Sequence, residues 1–535
     1  MTSGTNDYDV IVVGAGFAGL YALHELRSQG RRVRVFEAGD GIGGTWFWNR
    51  YPGARCDVES MYYSYSFDPA LEQEWRWTER YATQPEILRY IEHVADRYDL
   101  RRDVQLETRV ESARLDEATG RWHVHTSDGR DWTARFVIMA TGCLSSSNVP
   151  DFEGLADFRG EQYHTGRWPK RSPDLAGKRV GVIGTGSSGI QSIPELAKQA
   201  AHLTVFQRTP NYSVPANNAP LAPEAQAAVK ADYARLRAMG NGFGPVLEPN
   251  PYKVSESTPE QVRAVLDERW AVGGLGFLSA FTDLLVAPDS NRLVADYVRD
   301  RIRERVDDPE LAEQLCPDTV YGCKRPCIDT DYYETYNRPN VSLVDVGRHP
   351  IERFTKTGIV VDGREHPLDV VVFATGFDAM TGSIFKVDIR GRGGELLREK
   401  WEAGPRTYLG LQTVGFPNLF FVTGPGSPSV LSNMINSIEQ HVEWIADCLQ
   451  AMDERGAAAI EPERGAEDAW VEHANALAAH TLYWSCSSWY LGDNIPGKPR
   501  VFMPYVGIPL YRQKLAEVVA KGYEGFAFEP LSGRG

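Results

Sequence analysis

Two short glycine-rich turns constrain the fold of this chain more than any other feature. Residues 9–13 (Asp-Val-Ile-Val-Val) run into Gly14-Ala15-Gly16-Phe17-Ala18-Gly19, and residues 180–183 run into Gly184-Thr185-Gly186-Ser187-Ser188-Gly189. Each turn follows an apolar run of the kind a strand buried on both faces requires, and each opens a helical pattern. In such a unit the first glycine makes the tight turn, the second lets backbone approach a pyrophosphate, and the third lets helix pack on strand. The unpaired N–H groups at the helix start then face the anion. Two copies of this unit predict an α/β protein with two dinucleotide-binding, Rossmann-like domains. The chain has 535 residues, too many for one core, so two or three domains are expected.

The residues downstream of each loop distinguish the two sites. Glu37 stands 18 residues after Gly19, at the end of the second strand of its unit. A carboxylate there accepts both hydroxyls of an unphosphorylated ribose, as in FAD or NAD. Eighteen residues after Gly189 stands Gln207, followed by Arg208 and Thr209, and the flanking sequences echo each other: Val35-Phe36-Glu37 against Val205-Phe206-Gln207. The acid is gone and a cation stands beside its position. A 2′-phosphate is repelled by the first arrangement and bound by the second. The first site is therefore read as FAD-binding, through Gly14, Gly16, Ala18, Gly19 and Glu37. The second is read as NADPH-binding, through Thr185, Gly186, Ser187, Ser188, Gly189, Ile190, Gln191, Arg208 and Thr209.

The loop after the first unit contains Gly44-Thr45-Trp46-Phe47-Trp48 and then Arg55-Cys56-Asp57. Large flat rings and cations in a glycine-rich loop suit a flavin ring and phosphates better than they suit solvent. Two further buried strands end in Ala-Thr-Gly, at residues 140–142 and 374–376, where a chain that passes between two dinucleotide domains crosses over. Between them, residues 221–318 change character. Helical stretches at 223–238 and 292–306, separated by a Gly/Pro-rich break at 240–251, read as a helical insertion. A helix is also expected at 435–452.

Composition excludes other classes. The net charge of -15 disfavours a nucleic-acid partner. No apolar stretch approaches the roughly 20 residues of a membrane helix. The first ten residues are polar and acidic, unlike a secretory leader. The seven cysteines, odd in number and scattered, suit reduced thiols in a cytoplasm. Only Cys323 and Cys327 are close, with no histidine cluster nearby, so no metal site is expected. No protein partner is inferred.

Between the two nucleotide units lies Phe158-Arg-Gly160-Glu-Gln-Tyr-His164-Thr-Gly-Arg-Trp168-Pro. This spacing resembles the fingerprint of the type I Baeyer–Villiger monooxygenases, FAD- and NADPH-dependent enzymes that insert oxygen beside a ketone carbonyl. The likeness covers nearly the whole chain, and is closest to the phenylacetone and steroid monooxygenases. It implies a discontinuous FAD domain (1–145 and 380–535), an NADP domain (150–220 and 320–378) carrying the insertion at 221–318, and an interdomain linker at 158–169. It implies FAD contacts at Gly44, Thr45, Trp46, Phe47, Trp48, Asp57, Tyr63, Val110 and Met434. It places Arg55, Cys56, Asp57, Lys324, Arg325 and Trp489 at NADP, and Val430, Leu431 and Met434 in a ketone pocket. Arg325 falls at the catalytic arginine and Asp57 at the carboxylate that pairs with it, with NADP⁺ retained during turnover. A fixed guanidinium there stabilises the anionic oxygenated flavin and the tetrahedral adduct. His164 is read as part of the fingerprint, not as a base. Residues 488–500 resemble the family's mobile loop over NADP. Residues 505–511 depart from the family, being shorter and lacking its Gly-Gly-Phe.

Three rivals remain open. An N- or S-oxygenating flavin monooxygenase usually lacks the tryptophan and the arginine block. A disulfide reductase of the same architecture needs a cysteine pair in the early helix, which has none. A catalytically silent NADP(H)-sensing flavoprotein would bind both cofactors without ketone-dependent NADPH oxidation.

Overall fold

The computed structural model describes residues 6–239 and 250–530. The break expected at 240–251 lies almost wholly outside the described residues. Two sheets organise the rest. The first runs in the order Asp388–Arg390, Val110–Asp116, Arg121–Thr126, Asp131–Met139, Asp7–Val13, Val33–Phe36, Val104–Gln105, with Leu419–Phe421 also paired to Asp131–Met139. Asp7–Val13 is parallel to both of its neighbours, whereas the three strands from 110 to 139 form an antiparallel meander. The second sheet is parallel throughout: Val341–Asp345, His202–Gln207, Arg179–Ile183, Val370–Phe373, Glu161–His164. Val10, Ile11 and Val12 in the first sheet, and Val180 and Val182 in the second, have no exposed surface. Strands covered on both faces must be apolar along their length.

The nucleotide helices start where the loops predict, at Phe17–Ser28 and Ser187–Ala197. The helix expected at 435–452 is Met434–Glu454, and it packs on Phe17–Ser28. In the insertion region the stretch 223–238 is two helices, Pro223–Ala231 and Tyr233–Met239, and the later stretch is one long helix, Pro288–Arg305. Pro223, Pro259, Pro288 and Pro309 each open a helix, at the position where a missing N–H costs nothing.

The fingerprint residues pack as structure. Phe158 is buried edge-on against Phe354, Gly160 sits against the Phe158 ring and the Asp369 carbonyl, and Trp168 is buried beside Tyr163. His164 Nδ1 accepts from the Gly166 N–H at 2.9 Å, so the proton lies on Nε2, 3.3 Å from the Asn148 carbonyl. Burial lowers the pKa of this imidazole, which keeps Nδ1 free as an acceptor. Residues 505–511, expected to depart from the family, are packed in: Tyr505 N–H donates to Ser427 O at 2.8 Å, its ring stacks on Trp470 at 4.7 Å, and Gly507 leads into the helix Ile508–Ala520.

Candidate functional site

The carboxyl ends of the two parallel strand sets open into one continuous cavity of about 960 Å³. Gly14, Gly16 and Ala18 of the first loop line it, as do Thr185, Gly186, Ser187 and Ser188 of the second. The loops are built alike. Gly14 and Gly184 have φ of +104° and +106°, and a Cβ on either would lie within 2.6 Å of a carbonyl oxygen, that of Ala140 or Ala374. The two Ala-Thr-Gly strand ends therefore back the two glycine turns, and no side chain fits between them.

Glu37 lines the cavity and is 94% buried. Its Oε2 accepts from Ala15 N–H at 2.9 Å and its Oε1 from Gly39 N–H at 2.8 Å. It thus ties the first loop to the turn beyond the second strand, with lone pairs left for a ribose. Gln207 is turned away, donating to Gln314 O at 2.8 Å, while Arg208 and Thr209 line the cavity. Lys324 lies there too. Burial lowers its pKa, and the charge of Arg208 lowers it further. Among the described residues neither cation has a carboxylate within ion-pair distance. An oligoanion such as a nucleotide phosphate is the ligand that relieves this.

The aromatic loop joins the two halves. Tyr51 OH donates to Gln191 Oε1 at 2.8 Å, and Gln191 Nε2 donates to Arg55 O at 3.1 Å. Trp46 Nε1 donates to Tyr63 OH at 3.2 Å. Asp57, at the end of this loop, meets Arg325 from the far side of the chain. Arg325 Nε and Nη2 donate to the Asp57 carboxylate at 2.6 and 2.9 Å, and Nη1 donates to Val430 O at 2.8 Å. Burial acts to lower the pKa of Arg325, but the charge of Asp57 and its hydrogen bond outweigh this and raise it. The guanidinium is therefore a permanent cation in the cavity wall, held in a fork that a lysine could not reproduce.

Of the other residues expected at the site, Thr45, Trp46, Trp48, Arg55, Cys56, Tyr63, Val110, Val430, Met434 and Trp489 also line the cavity. Gly44 lines it and Gly16 lies against its backbone. Gly19, Gly189 and Ile190 lie behind the loops, where a Cβ on Gly19 would strike Gly14 O and Ile190 is core. Phe47 does not line the cavity; it packs against Trp48 and lies under Arg50. Leu431 does not line it either, and packs in the cluster of Cys143, Met380 and Tyr490.

Sequence reasoning missed three cations at the wall, Arg109, Arg167 and Lys386. The pKa of Lys386 is lowered by burial and by the other two. They are too far apart in the chain to form a motif. Reasoning from spacing also failed for the cysteines. Cys323 is bonded to Cys486, 163 residues away, with their Cα atoms 6.3 Å apart, and Cys327 is a free buried thiol. The expectation of scattered reduced thiols is corrected accordingly: an odd count and wide spacing along the chain do not prevent the fold from bringing Cys323 and Cys486 together. Neither half-cystine lines the cavity. The cysteines that do, Cys56 and Cys143, are pushed up by burial, Cys143 to about 11, so neither is a thiolate near neutrality.

Both dinucleotides fit. Among the described residues, Asn49 Oδ1, Ser383 Oγ and Asn494 Oδ1, buried at the cavity wall, have no hydrogen-bond partner, as expected of groups that complete their bonds on a ligand. Among the described residues there is no His/Cys/Asp/Glu cluster able to hold a metal, and no helix is long and apolar enough to cross a membrane.

Comparison with known proteins agrees with this arrangement. A family profile described as pyridine nucleotide-disulphide oxidoreductase matches residues 11–243. A Baeyer-Villiger monooxygenase of Pseudooceanicola batsensis is 45% identical over 97% of this chain and 95% of its own. Phenazine N-monooxygenase PhzNO1 of Lysobacter antibioticus is 43% identical over 97% of this chain and 96% of its own. The solved structure of oxidised steroid monooxygenase bound to NADP is 54% identical, with a TM-score of 0.94 over 98% of this chain and 100% of its own. Built as a two-dinucleotide flavoprotein and similar over its full length to these enzymes, the chain belongs to the type I Baeyer–Villiger monooxygenase family.

Proposed function

We propose that this protein uses NADPH and O₂ to insert one oxygen atom beside a ketone carbonyl, giving an ester or lactone. The observation that carries the proposal is the bidentate Arg325–Asp57 pair, set in one cavity between two dinucleotide loops. Bound FAD, reduced by NADPH, supplies the activation of O₂; the chain supplies position and charge. Gly14, Gly16, Ala18, Glu37, Gly44, Thr45, Trp46, Trp48, Tyr63, Val110 and Met434 hold FAD. Thr185, Gly186, Ser187, Ser188, Gln191, Arg208, Thr209, Lys324, Arg55, Cys56 and Trp489 hold NADPH. Residues 1–145 with 380–535 form the FAD domain, and 150–220 with 320–378 the NADP domain, with the helical region 221–318 inserted in it. Arg325 is the catalytic residue, a fixed cation for negative charge that develops on oxygen, and Asp57 positions it. The apolar wall at Val430 and Met434 suits aromatic, cyclic or steroidal ketones.

A second reading, N-oxygenation, is favoured by the relative named for phenazine N-oxidation. The test supplies an aryl ketone, a cyclic ketone, a steroidal ketone and an aromatic N-heterocycle in parallel, with NADPH consumption and product measured together. Ester or lactone formation coupled to NADPH supports the proposal. N-oxide as the only product supports the second reading, and NADPH oxidation that no substrate stimulates defeats both.

A further inference from the structure

The Cys323–Cys486 bond joins two segments with direct access to the cavity. Cys323 immediately precedes Lys324 and Arg325, and Cys486 immediately precedes Ser487, Ser488 and Trp489, all of which line the wall. The Cys486 segment contains only short helical turns, Leu482–Ser485 and Trp489–Leu491. Further along it is anchored by Asn494 Nδ2 to Phe377 O at 2.7 Å and by Lys498 Nζ to Asp378 Oδ1 at 2.6 Å. Upstream it is anchored by Leu482 N–H to Leu285 O at 2.8 Å. Between these anchors the hydrogen bonds of Ser488 stay within the segment, accepted from the N–H groups of Tyr490, Leu491 and Asp493, while Tyr490 O and Leu491 O accept from Met503 N–H at 3.0 Å and Val501 N–H at 3.1 Å. The disulfide adds a covalent tie between Cys486, just before the wall residues Ser487 to Trp489, and the Lys324–Arg325 strap.

We propose that Cys323 and Cys486 form a reversible thiol–disulfide site, a latch that fixes the segment 486–494 over the nucleotide part of the cavity when oxidised and frees it when reduced. Opening is a two-electron exchange with a dithiol. A thiolate bonds to one cysteine sulfur, the Cys–Cys bond breaks, and the second thiol of the reductant closes its own disulfide. Both cysteines then take a proton. Closing is the reverse, with an oxidised dithiol as the electron acceptor. The remaining five cysteines are unpaired, so the site is a single, countable event. A tether across a segment that lines the cavity acts on release, because ligand cannot leave past that wall until it moves.

The inference rests on NADP occupying the cavity beside Lys324, and its test separates the two readings. FAD-loaded wild-type protein is incubated with oxidised or reduced dithiothreitol. Thiols counted after denaturation should number five and seven, from seven cysteines of which five are free. Release of labelled NADP⁺, chased with excess unlabelled NADP⁺, should be roughly fivefold or more faster after reduction. Trypsin should cut at Arg500 faster in the reduced protein, with or without nucleotide. Cys486→Ser and the double variant Cys323→Ser/Cys486→Ser should behave as reduced protein in both reagents, with FAD content reporting folding. Seven thiols after oxidation would overturn the proposal, as would equal release and equal cleavage in the two wild-type states. If NADP⁺ does not bind but the thiol count and Arg500 cleavage still respond, the latch stands and the nucleotide reading fails.

Discussion

The two glycine loops are near copies, yet their surroundings differ in a way that suits two kinds of cofactor. Around the first, Gly16 lies against the backbone of Gly44, and Glu37 bonds to N–H groups on both sides of the strand end. Around the second, a Cβ on Gly186 would meet nothing within 4 Å, the equivalent of Glu37 has turned away, and the facing groups are the cations Arg208 and Lys324. The first loop is pre-bonded and closed, and the second is open and faces two cations. A shared loop sequence thus sets the backbone cradle, while residues outside the loop set its packing and charge.

The largest effect is expected where the halves meet. Arg325→Ala should lower the rate of ketone oxygenation by about 10²–10³, with FAD content unchanged and flavin reduction followed separately by stopped-flow absorbance. A variant that forms ester at the parental rate would show that the Asp57–Arg325 bridge is only structural. Next, Arg208→Ala should raise the KM for NADPH by roughly 10-fold or more, the worth of a charge-assisted hydrogen bond, and leave the KM for NADH nearly unmoved. Equal changes for both nucleotides would erase the contrast between the loops.

Glu37→Ala tests the closed half. It leaves two buried N–H groups without an acceptor, at about 1–3 kcal/mol each, so the purified protein should carry substoichiometric FAD and melt earlier. Full flavin occupancy with an unchanged Tm would mean that the carboxylate does not organise the first loop. The smallest effect concerns His164. Its folded pKa is depressed below the ordinary value of 6.5 by burial. The neutral ring is therefore favoured in the fold. Its contribution is complete above pH 6.5 and is lost as pH falls through the folded value, at about 1 kcal/mol for each pH unit by which burial depresses it. Wild type should thus lose more Tm between pH 7 and pH 5 than His164→Gln does, and identical slopes would assign the acid sensitivity elsewhere.

Much of this protein was determined locally and is therefore legible in its sequence. Gly14 and Gly184 take backbone angles that other residues resist, buried parallel strands need unbroken apolar runs, and proline opens helices in the insertion region. The exchange of Glu37 for Gln207-Arg208 is likewise visible, because it falls at a fixed distance from each loop. The tertiary structure alone decided which distant residues meet. It joined Cys323 to Cys486, gathered Arg109, Arg167 and Lys386 at one wall, and turned Phe47 and Leu431 away from the cavity. Periodicity and turn chemistry act over a few residues, so they record the elements. Contacts across more than a hundred residues are fixed by how those elements pack, and no spacing along the chain encodes them.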